Sequence, residues 1–397
     1  MRKKIMVINS GSSSLKFQIY DLETSKLLAK GIFERIGIDH PTLTISCQGK
    51  KVEQSSIIAN HHEAVQELMQ TLLDRGIILD LLEIVGVGHR VAHGGTIFTK
   101  PTVVTELVEA KIEELAELAP LHNPINLLGI RAFKSYLPQA LEVAVFDTAF
   151  HQTMEEAYYT YPIPYEYREK YGIRRYGFHG ISHQYISDYV TEHYGLPEKM
   201  ICAHLGNGSS ICAMKNGLSY TTSMGFTPTA GLMMGTRCGD IDPMIVSFLE
   251  KHENFSGNQI DQVINQKSGL RGISGFSSDM RDIELAATQG NSRAELALDI
   301  FANRVIELVG SYISSLNGLD VLVFTAGIGE HSATIRKKVC QRLTFLGLDI
   351  DDKKNQDHAE EISSSNSKIK VLVIPTNEEW LIAQAVKEKL EQLPVLA

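Results

Sequence analysis

Short apolar segments alternate with amphipathic ones along most of the chain. Apolar runs at 5–8, 15–20, 81–87, 141–146, 321–324 and 370–374 predict buried strands, and 32–53 predicts irregular strands. Apolar residues recurring every three or four positions predict helices at 63–73, between Thr105 and Pro120, and at 380–393. Ser292 and Glu295 form a capping-box pattern that predicts the start of a long helix, which Asn317 ends. The predicted class is α/β.

The strand–turn–strand pattern at the amino terminus returns near the middle of the chain. Residues 4–20 place a Gly/Ser turn between two apolar strands, and residues 200–213 do so again, so that Gly11-Ser12-Ser13 aligns with Gly208-Ser209-Ser210. Such a turn either points backbone N–H groups at one anion or is simply a solvated β-hairpin. A repeat at about half of the 397 residues favours anion binding and predicts two similar domains.

Composition narrows the classes of function. The length suits two domains, and a net charge of −9 argues against a general nucleic-acid or anionic-membrane binder. The five cysteines are odd in number and form no C-x-x-C pair, which argues against a disulfide framework or a cysteine zinc site and favours the cytoplasm. No apolar run approaches the ~18 residues of a membrane-spanning helix. The apolar run within the first ten residues is far too short for that of a signal peptide.

Several polar residues stand where a buried strand does not need them for packing. Arg90 follows the run at 81–87 and can grip a carboxylate or phosphate, or pair with a structural Asp. Asp147 closes the run at 141–146 as a base, an orienting group or a helix cap. His179 lies between glycines, which allow a ligand close approach. Arg237 lies in a glycine-rich loop and predicts an anion clamp.

Two loops of the second half suggest a nucleotide. Residues 277–282 either meet a base or ribose or only cap a helix. Residues 321–331 read as a strand entering a glycine turn before a helix. Gly327 and Gly329, with Asp349 about twenty residues on, imitate a dinucleotide fingerprint, but its third glycine is missing and no Walker A sequence occurs.

Taken in order, these segments resemble the acetate kinases. The chain contains VINSGSSSLK, GHRVAHGG, APLHNP, FDTAFH, YGFHG, HLGNGSS, GLMMGTRCGDIDP, SSDMRD, TAGIGEH and PTNEE. The resemblance implies the duplicated actin-like (ribonuclease H-like) fold of the acetate and sugar kinases, heat-shock chaperones and actin. Each domain would have a βββαβαβα core, with a nucleotide cleft between them. We expect an acyl/phosphate domain at 1–149 plus a returning helix at 382–397, and a nucleotide domain at 150–381.

The resemblance also implies roles for the matched residues. Arg90, Asp147, His179 and Arg237 would be catalytic, with Arg90 also holding the carboxylate. Asn9 and Glu378 would lie near Mg²⁺, or Mn²⁺ in its place. The acyl pocket would include Ala92, Leu121, Phe178 and Pro228. ATP or ADP would be held by Ser12, Lys16, His204, Leu205, Gly206, Asn207, Gly208, Asp279, Met280, Arg281, Gly327, Ile328, Gly329, Glu330 and His331.

The expected reaction is reversible, Mg²⁺-dependent, in-line transfer of a phosphoryl group from ATP to acetate, in a cytoplasmic homodimer. Ala92 stands where the family usually has Val, which enlarges the acyl pocket and makes propionate kinase, or a dual acetate/propionate kinase, the alternative. Thr96 and Thr229 also depart from the usual Glu and Leu. From another class, an actin-like ATPase would not need the pair Arg90 and Arg237.

Overall fold

The structure, a computed structural model, describes residues 2–55 and 58–393. Its internal contacts divide the chain into two compact units, Met1–Ala149 with Asn377–Ala397, and Phe150–Thr376. Each unit has its own sheet and its own apolar core. Within the described ranges, no helix is long and apolar enough to cross a membrane.

The first unit is built on a mixed sheet. Its strands are β1 (Lys4–Ser10), β2 (Ser14–Asp21), β3 (Leu27–Glu34), β4 (Thr42–Cys47), β5 (Lys50–Ser55), β6 (Ile84–Val91), β7 (Thr102–Val103) and β8 (Leu141–Phe146). They lie in the order β5-β4-β3-β2-β1-β6-β8-β7. β1 runs antiparallel to β2 and parallel to β6, which runs parallel to β8. The carboxyl ends of β1, β6 and β8 therefore share one edge of the sheet.

The strand predicted at 81–87 is displaced along the chain. Leu81–Glu83 forms a single 3₁₀ turn, because the side chain of Asp80 accepts the N–H of Leu82, and the strand runs from Ile84 to Val91. The prediction failed because a short apolar run does not distinguish a strand from a short helical segment. As a result, Arg90 lies inside β6, one residue before its end, and not after it.

Three helices of the first unit precede its last strand: α1 (His61–Asp74), α2 (Glu106–Glu114) and α3 (Asn123–Tyr136). Asn60 caps α1 and Thr105 caps α2, the latter as predicted. α2 ends at Glu114 and gives way to a 3₁₀ turn, so the prediction that it continues to Pro120 is wrong. α1 and α3 pack their apolar faces into the core beside β1 and β6.

The second unit repeats the central strand order of the first. Its strands are β9 (Lys199–Leu205), β10 (Ser209–Lys215), β11 (Leu218–Thr222), β12 (Val321–Thr325) and β13 (Lys370–Val373), in the order β11-β10-β9-β12-β13. β9 and β10 are antiparallel, and β9, β12 and β13 are parallel, as in β3-β2-β1-β6-β8. The predicted duplication is therefore confirmed. Its residue alignment is wrong, because Ser209 and Ser210 lie in β10 and the turn is 206–208.

The helices of the second unit are α4 (Glu156–Tyr159), α5 (Tyr165–Tyr171), α6 (Gly180–Tyr194), α7 (Met244–Glu253), α8 (Gly257–Gln266), α9 (Gly269–Ser274), α10 (Met280–Thr288), α11 (Ser292–Leu316), α12 (Ala326–His331), α13 (Ala333–Gln341) and α14 (Asp352–Gln356). The Tyr- and Pro-rich composition of 158–176 predicts irregular structure, but the end of α4 and the whole of α5 lie within it. α11 begins at Ser292, but its cap is Asn291, whose side chain accepts the N–H of Ala294, so the predicted capping box is wrong by one residue. Asn317 ends α11 in the left-handed conformation, as predicted.

The last helix, α15 (Glu378–Glu391), belongs to the first unit and packs on β1, β6 and β8. A Cβ at Gly88 of β6 would lie 2.5 Å from Cγ2 of Ile382 and 2.8 Å from Cγ2 of Val386. Only glycine permits so close an approach of helix to strand. This packing places the amino end of α15, with Glu378, beside the carboxyl end of β6.

Candidate active site

Arg90 is held at the strand edge of the first unit by two oxygen-bearing side chains. Its Nε donates to Oδ1 of Asp147 at 3.2 Å, its Nη2 donates to Oδ2 of the same carboxylate, and its Nη1 donates to Oδ1 of Asn9 at 3.4 Å. Asp147 follows β8 and is 1% exposed, whereas the Arg90 side chain is 22% exposed. The two-pronged grip fixes the guanidinium plane and leaves part of it accessible to an anion.

Glu378 adds a second carboxylate to this cluster. Its Oε2 lies 4.0 Å from Nε of Arg90. Burial and the nearby Asp147 carboxylate raise the pKa of Glu378 to about 7, and burial also raises the pKa of Asp147 against the pull of Arg90. Two carboxylates crowd one arginine, so a proton or a further cation is needed to balance the charge near neutral pH.

Lys16 and Ser12 belong to the turn region of the same sheet. Lys16 lies on β2 directly opposite Asn9 of β1, and its charge acts on Glu378. Ser12 is exposed in the β1–β2 turn. The predicted residues Asn9, Lys16, Arg90, Asp147 and Glu378 are thus brought to one edge of the first unit.

Two asparagines that the sequence reasoning did not single out for the site hold the loop after β6. The side-chain oxygen of Asn126 accepts the N–H of Ala92 at 3.0 Å, and its amide donates to the carbonyl of Ser10 at 2.9 Å. Asn123 makes a similar pair of bonds with the backbone of His93. Both asparagines are buried in the first turn of α3. Their only signal in the sequence was the polar Asn pair opening an apolar helix.

The four residues predicted to line the acyl pocket fall two in each unit. Ala92 is buried behind the Arg90 strand end, and Leu121 is 70% exposed before α3. In the second unit, Phe178 packs with Met234, and Pro228 offers its carbonyl to Arg237. Apolar surface is present at these positions, and their role as a pocket stays a prediction.

His179 and Arg237 converge on the 206–208 turn of the second unit. A Cβ built at Gly208 would lie 3.5 Å from Nε2 of His179 and 3.6 Å from Nη1 of Arg237. His179 takes a left-handed conformation (φ 57°) just before α6, which turns its ring out of the helix. Gly235 donates its N–H to the carbonyl of Asn207 at 2.9 Å, so the Arg237 loop is tied to the turn.

The Arg237 guanidinium is half-buried and carries a positive charge without a carboxylate. Its Nη1 donates to the carbonyl of Pro228 at 2.9 Å, and within the described ranges it forms no ion pair. Burial lowers its pKa, which remains far above neutrality for a guanidinium. A buried cation beside a glycine turn is suited to bind an anion.

Two further histidines lie near His179, one against its ring and one against the backbone just before it. The ring of His204 stacks on it with centroids 4.1 Å apart, while Nδ1 of His204 is bonded to Oγ of Ser182 at 2.8 Å. His151 hydrogen-bonds the carbonyl of Phe178 at 3.0 Å through Nε2, and burial lowers its pKa to about 4. His204, predicted to hold nucleotide, thus lies against His179, whereas His151 fixes the preceding loop.

A cavity of about 490 Å³ brings the predicted nucleotide loops of the second unit together. It is lined by Gly206, Asn207, Ser278, Asp279, Met280, Arg281, Glu284, Gly327, Ile328, His331 and Ser332. Leu205 is buried at the end of β9 and does not line it. Asp279 caps α10 by accepting the N–H of Arg281 and also pairs with its side chain, so this loop is a helix cap as well as a cavity wall. Glu284 and Ser332, bonded to each other, were missed by the sequence reasoning.

The strand β12 continues directly into α12, so the predicted glycine turn before the helix is wrong. Ala326, at φ 64°, makes the change of direction, and Gly327 and Gly329 lie inside the helix. Gly329 packs close to the backbone of Phe324, and Glu330 accepts the N–H of Thr376 at 3.3 Å. Gly329 therefore serves close packing against β12, whereas Gly327 lines the cavity and a Cβ there would meet open space.

Arg336, which the sequence reasoning missed, holds the end of α12 in place. It is fully buried, and its five N–H groups donate to neutral acceptors: Oδ1 and the carbonyl of Asn355, the carbonyls of Gly329 and Glu330, and Nδ1 of His358. Burial lowers the pKa of Arg336 to about 10. The positive charge of the guanidinium interacts favourably with the negative, carbonyl end of the helix dipole. Arg336 therefore fixes the helix that lines the cavity.

Comparison with known proteins identifies the family. Residues 4–384 match the model of the acetokinase family. The chain is 53% identical to a propionate kinase of Citrobacter rodentium over 100% of both chains, and 50% identical to an acetate kinase of Geobacillus over 96% of this chain and 98% of the other. The crystal structure of Porphyromonas gingivalis acetate kinase superposes with a TM-score of 0.93 at 44% identity, covering 98% of this chain and 100% of that chain. The predicted resemblance and the duplicated actin-like fold are thereby confirmed, and the chain belongs to the acetokinase family.

Proposed function

We propose that the protein is a carboxylate kinase that transfers the γ-phosphoryl group of ATP to acetate or propionate, giving ADP and an acyl phosphate. Family membership along 4–384 supports the reaction class. The observation that carries the assignment to a carboxylate acceptor is Arg90, a partly accessible guanidinium gripped by Asp147 and Asn9. An enzyme that activates only water has no need of such a fork for an anionic acceptor.

The chemistry requires alignment and charge neutralisation more than acid–base catalysis. A carboxylate oxygen, already a nucleophile, forms a bond to the γ-phosphorus while the bond between that phosphorus and the β–γ bridging oxygen breaks, and ADP leaves with the electron pair. Arg90 holds the carboxylate. His179 and Arg237, which share the Gly208 turn, donate to the oxygens of the transferring group. Asp147 orients Arg90, and no proton has to move for the transfer to occur.

The nucleotide occupies the cavity at 206–207, 278–284 and 327–332 in this proposal. Met280 and Ile328 form an apolar wall of the cavity. Asp279 and Arg281 form its polar rim. Backbone N–H groups of the 206–208 turn suit phosphate oxygens. Ser12 and Lys16 hold phosphate from the corresponding turn of the first unit.

A divalent metal accompanies the nucleotide, and Asn9 and Glu378 are the residues proposed to hold Mg²⁺, or Mn²⁺ in its place. Their amide and carboxylate oxygens are hard ligands, and Mg²⁺ is commonly held by one or two carboxylates together with substrate phosphates. The excess carboxylate charge at Glu378 and Asp147 fits a cation there. In the described residues no group of three or more His, Cys, Asp and Glu side chains is arranged to hold a metal, so substrate phosphates and water would be needed as further ligands. When bound, the metal neutralises phosphate charge.

Acetate and propionate are both kept as substrates because the similar proteins carry both names and because Ala92 is small. A valine at this buried position would add two methyl groups next to the end of β6. Burying one methylene is worth about 0.8 kcal/mol, which is enough to change the preference between the two acids severalfold.

We further propose that the enzyme is a cytoplasmic homodimer. Helix α7 buries none of its residues and exposes Met244, Ile245 and Phe248, an apolar face that a second copy of the chain would cover. The five cysteines are free, which suits a reducing compartment. Light scattering should give twice the chain mass of 44.0 kDa, and Phe248→Glu should lower it towards one chain.

The reaction is tested by trapping acyl phosphate with hydroxylamine after incubation with ATP, Mg²⁺ and acetate, propionate or butyrate. The proposal predicts acyl hydroxamate with acetate and propionate, and its loss in Arg237→Ala. Arg304→Ala, an exposed change on α11, serves as the control for handling and expression. Release of inorganic phosphate without hydroxamate from any acid would replace the proposal with an ATPase.

A further inference from the structure

A buried serine joins the rings of two histidines inside the second unit. Oγ of Ser210, on β10, lies 3.0 Å from Nδ1 of His179 and 2.8 Å from Nε2 of His183. Ser210 and His183 are completely buried, and His183 lies in the first turn of α6. The three groups form a short hydrogen-bonded chain that ends at the ring facing Gly208.

The single hydroxyl proton of Ser210 gives this chain a direction. The hydroxyl can donate to one ring and must then accept from the other. In one arrangement, His183 donates from Nε2 to Ser210, and Ser210 donates to Nδ1 of His179. In the reverse arrangement, His179 donates from Nδ1 to Ser210, Ser210 donates to Nε2 of His183, and the proton of His183 moves to its Nδ1.

The surroundings of His183 decide between the two arrangements. Burial lowers the pKa of His183 well below 6.5, with the neighbouring His151 and His204 acting in the same direction, so its ring is neutral. Its Nδ1 is buried and has no hydrogen-bond partner in the part of the chain that the structure describes. A buried N–H without an acceptor is rarer in proteins than a buried acceptor without a donor. The reverse arrangement is therefore disfavoured.

We propose that Ser210 and His183 are positioning residues that hold His179 as the neutral tautomer with its proton on Nε2. Nε2 is the nitrogen on the side of Gly208 and Arg237. The inference rests on the proposed function, in which that nitrogen meets the transferring phosphoryl group. A ring fixed in this tautomer presents an N–H to phosphate oxygen, whereas the other tautomer would present a lone pair to it.

The neighbouring His151 shows the same placement of protons. Its Nε2 must donate, because its partner there is the carbonyl of Phe178, at 3.0 Å. Its Nδ1 then accepts from the hydroxyl of Ser219 at 2.8 Å. A serine hydroxyl thus donates to Nδ1 of each of these two histidines, and each carries its own proton on Nε2.

The test reads the tautomer directly by ¹⁵N NMR of histidine-labelled protein, in buffer alkaline enough to keep His179 neutral. The His179 signals are identified by their loss in His179→Gln. The proposal predicts a protonated Nε2 and an unprotonated Nδ1 in the wild-type chain. It also predicts that Ser210→Ala shifts the ring towards a mixture of the two tautomers. A protonated Nδ1 in the wild-type chain overturns the proposal, whether or not any variant folds.

Kinetics separate positioning from a general structural effect. Ser210→Ala and His183→Leu should lower kcat by roughly tenfold to a hundredfold with little change in KM for the acid. His183→Gln, whose amide nitrogen can replace Nε2 as the donor to Ser210, should recover most of that loss. Ser187→Ala is the matched control, because it also removes a buried hydroxyl, bonded to the carbonyl of Gly217 at 2.9 Å, and should leave kcat unchanged.

The outcomes distinguish this inference from the proposed function. If no acid is phosphorylated but His179 is protonated on Nε2, the tautomer assignment stands and the carboxylate kinase fails. If acyl phosphate forms at full rate in Ser210→Ala, the positioning role is overturned while the kinase stands. Equal loss of kcat in His183→Gln and His183→Leu also overturns it.

Discussion

Replacing Arg336 with methionine should weaken both the second unit and its grip on nucleotide. Met fills much of the space of the side chain but offers no donor, so the carbonyls of Gly329, Glu330 and Asn355 lose their partner in a buried setting. Each buried acceptor left unpaired costs about 1–3 kcal/mol, and removing the cost of burying the guanidinium recovers part of the total. We expect a net loss of roughly 2–4 kcal/mol in the free energy of unfolding.

The loss of Arg336 should also weaken nucleotide binding, because it displaces α12. Ile328 and His331 line the cavity, and the end of α12 is anchored by Arg336. Misplacement of a positioning element by about 1 Å can cost up to a hundredfold in rate, so a rise of about tenfold in KM for ATP is expected, with KM for the acid changing little. Arg336→Lys keeps the charge with fewer donors and should fall between wild type and Arg336→Met.

Urea unfolding followed by far-UV circular dichroism, together with steady-state kinetics, measures both effects. Tryptophan fluorescence is less suitable, because the one tryptophan, Trp380, lies in the other unit. Arg304→Met is the matched control, since Arg304 is exposed and pairs with an exposed Glu307, so it should change stability by less than about 0.5 kcal/mol. A loss of stability with unchanged KM for ATP would refute the link between Arg336 and the nucleotide cavity.

Three further changes test the first unit. Asp147→Asn keeps the shape but removes the charge that grips Arg90, so kcat/KM for the acid should fall about a hundredfold, against less than twofold for the exposed Glu156→Gln; equal effects would contradict the clamp. In metal-free protein, Glu378 binds its proton up to about pH 7 when folded but only to about 4.5 when unfolded, so the free energy of unfolding should fall as pH rises through that window, by at most about 3 kcal/mol. Glu378→Gln should abolish this decline, and a parallel decline in the variant would contradict the assigned pKa. Ala92→Val should lower kcat/KM for propionate relative to acetate by about fourfold, and an unchanged ratio would rule Ala92 out of the acyl pocket.

The sequence predicted best those features that depend on local pattern or on chemistry at strand ends. The two strand–turn–strand repeats, the caps Thr105 and Asn317, and the position of Asp147 directly after a strand follow from apolar runs that stop at polar residues. The sequence left open whether Arg90 grips an anionic ligand or pairs with a structural Asp, and the structure pairs it with Asp147. The predicted ends of strands and helices were less reliable. Leu81 and Leu82 suit a short helical turn as well as a strand, and only pairing with β1 places the strand start at Ile84.

The supporting residues could not be found from sequence, because their function is a contact with distant backbone. Asn126 hydrogen-bonds the N–H of Ala92 and also the carbonyl of Ser10, which lies 116 residues earlier in the chain. Arg336 donates to the carbonyls at the end of α12. The sequence predicts Ser210 in a turn, whereas the structure places it in β10, hydrogen-bonded to two histidines. No spacing rule marks an isolated polar residue as the partner of a backbone group far along the chain.

The central claim, phosphoryl transfer to a carboxylate oxygen, is tested most directly with ¹⁸O-labelled propionate or acetate. After incubation with ATP and Mg²⁺, ³¹P NMR of the acyl phosphate reports whether the oxygen bridging carbon and phosphorus came from the acid. The account predicts ¹⁸O in that bridge and none of the label in free phosphate. Inorganic phosphate carrying solvent oxygen, with no labelled acyl phosphate from either acid, would contradict it.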